Sequence, residues 1–166
     1  MLLKHEAQQA LLRMFRDPYT LEDCERKALV RHLEDAVKTY PQVPEIRVLL
    51  GMALCVDLNA QPALEHLREA VRMAPDNFMA RLKLGELLMR LRICGQAEEQ
   101  TRAAAKIAIN SVQAELARRQ AAALRTMQRN GIERGGYAGV LDKILPLLRN
   151  LKTRRTPETA ITLDIN

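Results

Sequence analysis

The 166-residue chain has no tryptophan, and aromatic residues make up only 3% of it. Its three cysteines, Cys24, Cys55 and Cys94, are far apart and odd in number. Such a set does not suit a disulfide framework, so we expect reduced thiols, as in the cytoplasm. No stretch of about 18 apolar residues occurs, and no basic region followed by an apolar run opens the chain. We therefore expect neither a membrane span nor a secretory signal.

The residue patterns of common catalytic sites are also missing. There is no glycine-rich phosphate loop, no nucleophile elbow and no His-Glu-x-x-His motif. The three histidines, His5, His32 and His66, do not combine with the cysteines at a spacing typical of metal ligands. We predict that the protein is not an enzyme and that it uses no metal and no cofactor.

What is present is a composition typical of helices. Apolar residues make up 48% of the chain, which excludes a disordered protein. Leucine, alanine, arginine, glutamate and glutamine are abundant, and these residues lose little rotamer freedom in a helix. No segment alternates apolar and polar residues as a half-buried strand does. The chain is therefore predicted to be all-α.

A period of 34 residues is the most informative pattern. Residues 44–77 align with residues 78–111 without a gap and share nine identical positions, where composition alone would give about two or three. Residues 32–38 also align with residues 66–72, and Pro41 with Pro75, at the same spacing. The nine identical positions are Arg47/Arg81, Leu50/Leu84, Gly51/Gly85, Leu54/Leu88, Ala63/Ala97, Glu65/Glu99, Arg68/Arg102, Ala70/Ala104 and Ala74/Ala108.

This pattern resembles the tetratricopeptide repeat (TPR), a 34-residue helix–turn–helix unit. The matching positions in residues 44–77 are Leu50, Gly51, Leu54, Ala63, Leu67, Ala70 and Pro75; in residues 78–111 they are Leu84, Gly85, Leu88, Ala97 and Ala104. Arg47 and Arg81 stand where the family has Trp or Tyr, and Leu58 and Arg92 stand where it has an interhelical glycine. Thr101 replaces a large residue, and Ile109 replaces the closing proline.

The resemblance implies a short right-handed α-solenoid of antiparallel helix pairs. Residues 1–43 would form a degenerate hairpin with helices at roughly 4–16 and 20–40, with Thr20 as the cap of the second. Residues 44–77 and 78–111 would be two clear units, with helices at roughly 44–57, 60–74, 78–92 and 95–109. Residues 112–152 would form basic capping helices, and residues 153–166 a disordered tail.

In the family, partners usually lie along the concave faces of the first helices. Carried over by register, that face holds Glu45, Val48, Met52, Cys55, Met79, Leu82, Glu86 and Met89. Methionine is flexible and polarizable, which suits a site for varied apolar side chains. Glu45 and Glu86 would favour a basic flank on the ligand. The alternative is that these residues pack internally or are covered by the chain's own acidic, apolar end at 160–165.

The net charge of +6 is unevenly placed, because residues 111–155 carry ten basic and three acidic side chains. A basic surface could bind nucleic acid or an anionic membrane, although no aromatic residue interleaves with it to stack on bases. The alternative is a solvated helix face. Its members would be Arg118, Arg119, Arg125, Arg129, Arg149, Lys152, Arg154 and Arg155.

From the residues and the resemblance together, we predict a protein–protein interaction module, an adaptor or chaperone-like binder. Its partner would be a protein or peptide segment held in the concave groove. Two other functions stay open at this point: binding of nucleic acid or an anionic surface through the basic helices, and self-association through apolar helix faces that a short array leaves exposed.

Overall fold

The computed structural model describes Leu3 and residues 5–132, and these residues contain helices and no strand. This confirms the all-α prediction for that part of the chain. A short 3-10 turn, Pro18–Thr20, lies between the first two helices. The helices are α1 His5–Arg16, α2 Asp23–Thr39, α3 Pro44–Val56, α4 Ala60–Met73, α5 Phe78–Arg90, α6 Cys94–Lys106 and α7 Ser111–Arg129.

Side chains near the helix starts supply hydrogen bonds that the first turn lacks. The Oδ1 of Asn77 accepts from the Ala80 backbone N–H at 3.0 Å, which caps α5. The prediction that Thr20 caps α2 is wrong, because the helix begins at Asp23 and the Thr20 hydroxyl donates to the Asp17 carbonyl at 2.7 Å. The Glu25 carboxylate instead accepts from the Glu22 backbone N–H at 2.9 Å.

Helices α3, α5 and α7 end in the same backbone motif. After α3, the backbone N–H of Asn59 bonds the Leu54 carbonyl at 2.9 Å, and that of Leu58 bonds the Cys55 carbonyl at 3.3 Å. This pair of bonds is a Schellman motif, which requires a left-handed residue just past the helix. Leu58 has φ 61° there, Arg92 has φ 60° after α5, and Gly131 has φ 64° after α7. Leu58 and Arg92 stand where the repeat has its interhelical glycine, and their backbones adopt the left-handed conformation that a glycine there would adopt.

Each helix from α1 to α7 packs against the next one along the chain, and α3 also contacts α5, as α5 contacts α7. The core lies between these helices, and its fully buried large side chains include Leu33, Leu50, Leu67 and Leu88. Gly51 allows α4 to approach α3 closely, because a Cβ built on Gly51 would lie 2.7 Å from Cγ of Leu67. The helix–helix distance here thus depends on the missing side chain.

A buried polar contact joins α7 to α5. The Nε2 of Gln120 donates to the Leu82 carbonyl at 3.2 Å. A Cβ on Gly85 would lie 2.7 Å from that Nε2 and 3.0 Å from Oγ1 of Thr101. Thr101 is itself buried and donates to the Ala97 carbonyl at 2.7 Å. Gly85 therefore provides the space for two polar side chains, whereas Gly51 provides it for a leucine.

The predicted second capping helix and the tail at 153–166 lie outside the described residues, as do Arg149, Lys152, Arg154 and Arg155. Among the residues that the structure does describe, no helix has both the length and the apolar character needed to cross a membrane.

Candidate functional site

Two adjoining depressions lie where the end of α1 meets α3 and α5, and together we call them the groove. The larger one, the apolar depression, has a volume of about 480 Å³. Two of its side chains remain well exposed, Phe15 at 48% and Met79 at 41%. It is lined by Phe15, Glu45, Val48, Leu49, Met52, Asn77, Met79 and Lys83.

The helical period brings the lining residues to one side of their helices. Val48 and Met52 are four residues apart on α3, and Met79 and Lys83 are four apart on α5, so each pair shares a face. Phe15 follows the buried Met14 near the end of α1. Direct contact between α3 and α5 then makes the two helical faces a single surface.

A hydrogen bond across the helices fixes the polar edge of the apolar depression. The Asn77 side chain donates through Nδ2 to Oε1 of Glu45 at 3.1 Å, while its Oδ1 caps α5. Asn77 thereby couples the start of α5 to the first turn of α3. The Glu45 carboxylate is exposed apart from this bond and keeps acceptor capacity for a ligand.

The second one, the charged depression, has a volume of about 270 Å³ and adjoins the apolar one along Phe15, Met52 and Lys83. Its polar wall is an ion-pair network in which the Glu86 carboxylate pairs with Lys83 at 2.9 Å and with Arg90 at 2.7 Å. The lining residues are Met14, Phe15, Met52, Cys55, Val56, Leu67, Lys83, Glu86, Leu87 and Arg90.

Electrostatics in the charged depression are governed by that network. Burial alone would raise the pKa of Glu86, but the hydrogen bonds and charges of Lys83 and Arg90 outweigh it and hold the pKa below its usual range. Glu86 is thus ionised and already paired, so it is not available for a basic flank of a ligand. Two cations face one carboxylate, and this side of the groove carries a surplus positive charge.

Cys55 lies in the same depression, half-buried on α3. Burial raises the pKa of its thiol above the ordinary value. Reactive cysteines need the opposite shift, because the thiolate is the nucleophile. Cys55 therefore contributes a small apolar wall here rather than nucleophilic chemistry.

The structure brings six of the eight predicted groove residues together. Glu45, Val48 and Met79 line the apolar depression, Cys55 and Glu86 line the charged one, and Met52 lines both. Leu82 does not line either: it is buried with Phe78, Ala104 and Ala117 beneath α7. Met89 packs against the main core instead.

Four important groove residues were not predicted, namely Phe15, Leu49, Lys83 and Arg90. Phe15 lies in the segment that does not follow the repeat, so no register could place it against α3. Lys83 and Arg90 were within reach of prediction, because they stand three residues before and four after Glu86, the spacing of ion pairs on a helix.

The basic residues of α7 do not form a single patch of unpaired cations. Arg118 and Arg119 both pair with Glu115, at 3.1 and 2.9 Å. Arg125 and Arg129 are exposed and have no ion pair within residues 5–132. The ion pairs of Arg118 and Arg119 are exposed and should contribute little to stability.

Groups of three or more His, Cys, Asp or Glu side chains placed to hold a metal ion do not occur among the described residues. The chain matches no protein-family model and no curated protein.

Proposed function

We propose that the protein is a tetratricopeptide-type binding module with a right-handed array of antiparallel helix pairs. The 34-residue period, the packing of each helix on the next and the contacts α3–α5 and α5–α7 support this arrangement. The left-handed residues Leu58 and Arg92 support it further, because they stand at the family's interhelical glycine position. We place the protein in the cytoplasm, in keeping with a set of three cysteines that are far apart in the sequence and odd in number.

The function we propose is the binding of a protein segment in the groove, as an adaptor or chaperone-like binder. The observation that carries it is the apolar depression itself, in which Phe15 and Met79 are well exposed and Leu49 and Met52 are partly exposed, beside paired charges. Apolar side chains of a partner would bury this surface and gain about 25 cal/mol per Å² of apolar area removed from water. Glu45 and Lys83 would orient the bound segment.

A pull-down from cell extract with a matched pair of variants tests this function. Met79→Glu places a charge in the groove at a position that is 41% exposed, and Leu116→Glu does the same on α7 at 42%. Both should fold, since neither side chain belongs to the core. A protein held by the parent and by Leu116→Glu, but lost with Met79→Glu, is the expected result at low and high salt alike.

Other outcomes would point to the other functions. Retention of nucleic acid that weakens steeply with salt would favour the arginines of α7 and reject the groove. A mass that rises with concentration, with no separate ligand, would favour a self-associating structural module. Retention of the same protein by both variants would also reject the groove.

A further inference from the structure

We propose that a second surface, the cleft between α6 and α7, binds an acidic amphipathic helix of a partner protein. This cleft is separate from the groove on α3 and α5, and the function proposed for that groove is not needed for it. The cleft has a volume of about 490 Å³, and most of the residues that line it belong to α7.

The residues of α7 that form the floor of the cleft follow the spacing of a coiled-coil seam. They are Ala114, Ala117, Ala121, Leu124 and Gln128, so steps of three and four residues alternate. A helix with this spacing presents one continuous stripe to a neighbouring helix. Ala117 and Leu124 are buried, whereas Ala114 and Ala121 are partly exposed. Because alanine has a short side chain, another helix can approach α7 closely along this stripe.

The charge of the cleft is unbalanced, whereas two acidic and two basic side chains balance in the groove. Arg102, Arg118 and Arg125 line the cleft beside a single carboxylate, Glu98. Glu98 is already occupied, because it pairs with Arg102 at 2.5 Å and accepts from Nε2 of Gln128 at 3.2 Å. The α6 side of the cleft is thus neutral, and the surplus positive charge lies on the α7 side.

Two arginines on the α7 side are placed to meet carboxylates of a bound helix. Arg125 has no ion pair within residues 5–132, and Arg118 shares Glu115 with Arg119. Because such exposed ion pairs contribute little to stability, Arg118 can exchange its contact for a partner's carboxylate. Arg118 and Arg125 are seven residues apart, which is about 10.5 Å along the helix axis. Each follows a seam residue directly, at the flanking position where coiled coils form ion pairs between helices.

The seam and the charge together specify the occupant. Small or apolar side chains at heptad spacing would cover the floor, and acidic side chains seven residues apart on one flank would pair with Arg118 and Arg125. Nucleic acid fits the cleft less well, because neither α6 nor α7 contains an aromatic residue that could stack on a base. The alanine floor would also contribute nothing to the binding of phosphates.

Binding of two synthetic helical peptides to the full-length protein tests the inference. Both have about 20 residues, with leucine and alanine at the heptad positions that form the seam. One peptide carries glutamate at the flanking positions, and the other carries lysine. We expect the glutamate peptide to bind at least about tenfold more tightly, measured by fluorescence anisotropy at physiological ionic strength. Its binding should slow hydrogen exchange in α6 and α7, but not in α3 or α5.

A matched pair of lysine substitutions separates occupation of the cleft from general attraction between charges. Ala121 lies in the cleft, whereas Ala122 is exposed beside it and does not line it. Ala121→Lys should weaken binding of the glutamate peptide about tenfold, although it adds a positive charge, because the longer side chain occupies the floor. Ala122→Lys should leave the affinity unchanged or raise it. Arg125→Gln, an exposed change outside the core, should also weaken binding about tenfold, with circular dichroism showing that each variant is folded.

Equal binding of the two peptides, or no binding of the glutamate peptide, would overturn the inference. So would slower exchange confined to α3 and α5, which would place the peptide in the groove. Tighter binding with Ala121→Lys, together with displacement of the peptide by a DNA duplex, would assign α7 to nucleic acid. Dimers of the protein that the peptide dissociates would make a second copy the occupant and would overturn it as well. The proposed function is tested separately, because Met79→Glu should not change binding of the peptide to the cleft.

Discussion

Leu58 and Arg92 hold a backbone conformation that glycine adopts without strain. The left-handed region brings the Cβ of other residues too close to the following carbonyl oxygen, which costs about 1–2 kcal/mol. Leu58 is 89% exposed, so its side chain gains little burial in return. Both residues hold this conformation because the Schellman bonds at the ends of α3 and α5 require it.

Leu58→Gly should therefore raise the free energy of unfolding by about 1 kcal/mol, measured by urea titration and circular dichroism. The control is Leu12→Gly, a leucine that is 63% exposed within α1. That change should lower the free energy of unfolding by about 1 kcal/mol, because glycine is a poor helix former. A loss of stability in Leu58→Gly would show that the leucine makes contacts worth more than the strain.

Arg47 and Arg81 stand where the tetratricopeptide repeat has an aromatic residue, and the two arginines make different contacts. Arg81 donates to the Pro75 carbonyl at 2.5 Å and to Gln100 at 3.1 Å, which links α5 to α6. The Nε of Arg47 is buried and has no hydrogen-bond partner among the described residues. The repeat alignment makes these two arginines equivalent, so sequence alone could not have distinguished them.

At the scale of helices, close packing of α3 and α4 depends on Gly51. Gly51→Ala should lower the free energy of unfolding, because Leu67 is fully buried and its Cγ lies 2.7 Å from the new Cβ. Overpacking of this kind costs about 1–3 kcal/mol, against a gain of about 1 kcal/mol in helix propensity. A net loss of up to about 2 kcal/mol is expected in thermal or urea unfolding.

Gly95, the second residue of α6, provides the matched control for this change. A Cβ there would have no neighbour within 4 Å. Gly95→Ala should leave stability unchanged or raise it by up to about 1 kcal/mol. If the two alanine variants had equal stability, the close approach at Gly51 would not be a constraint on the packing.

At the scale of the whole molecule, pH should change stability in two windows. The first involves His66 on α4, whose pKa is lowered by burial and by the charge of Arg47 on α3, with Glu34 on α2 and Glu65 on α4 opposing the shift. The unfolded chain then binds a proton more readily than the folded one. Stability is therefore complete above the ordinary histidine pKa of about 6.5 and falls as the pH drops below it.

The second window involves carboxylates, above all Glu86, whose pKa is lowered in the folded chain. Its contribution is present above the ordinary glutamate pKa of about 4.3 and is lost as the pH falls through the lower folded value. Urea titrations at pH 7.5, 5.5 and 4 would separate the two windows. His66→Gln should remove much of the change between pH 7.5 and 5.5, whereas His5→Gln, at an exposed position in α1, should keep it. If the free energy of unfolding changed equally between pH 7.5 and 5.5 in the two variants, the assignment to His66 would be contradicted.

Most of the helix bounds could be predicted from the sequence. The prediction succeeded where the chain follows the 34-residue period and failed mainly where it does not. The 34-residue period placed α3 to α6 within a few residues of their observed bounds and brought Glu45, Val48, Met52 and Met79 to one surface. It could not place Phe15, because α1 does not follow the period. It also assigned Leu82 to the groove, whereas Leu82 is buried in a cluster with Phe78, Ala104 of α6 and Ala117 of α7.

Lys83 belongs to both depressions, and this shared wall links them thermodynamically. A ligand in the apolar depression that attracts the Lys83 ammonium leaves Glu86 paired with Arg90 alone. The net charge of the charged depression then becomes less positive. The free energy of filling one depression thus depends on whether the other is filled, and the dependence is the same in both directions. Two short segments bound side by side would not be independent ligands, but a coupled pair that share the side chains of Phe15, Met52 and Lys83.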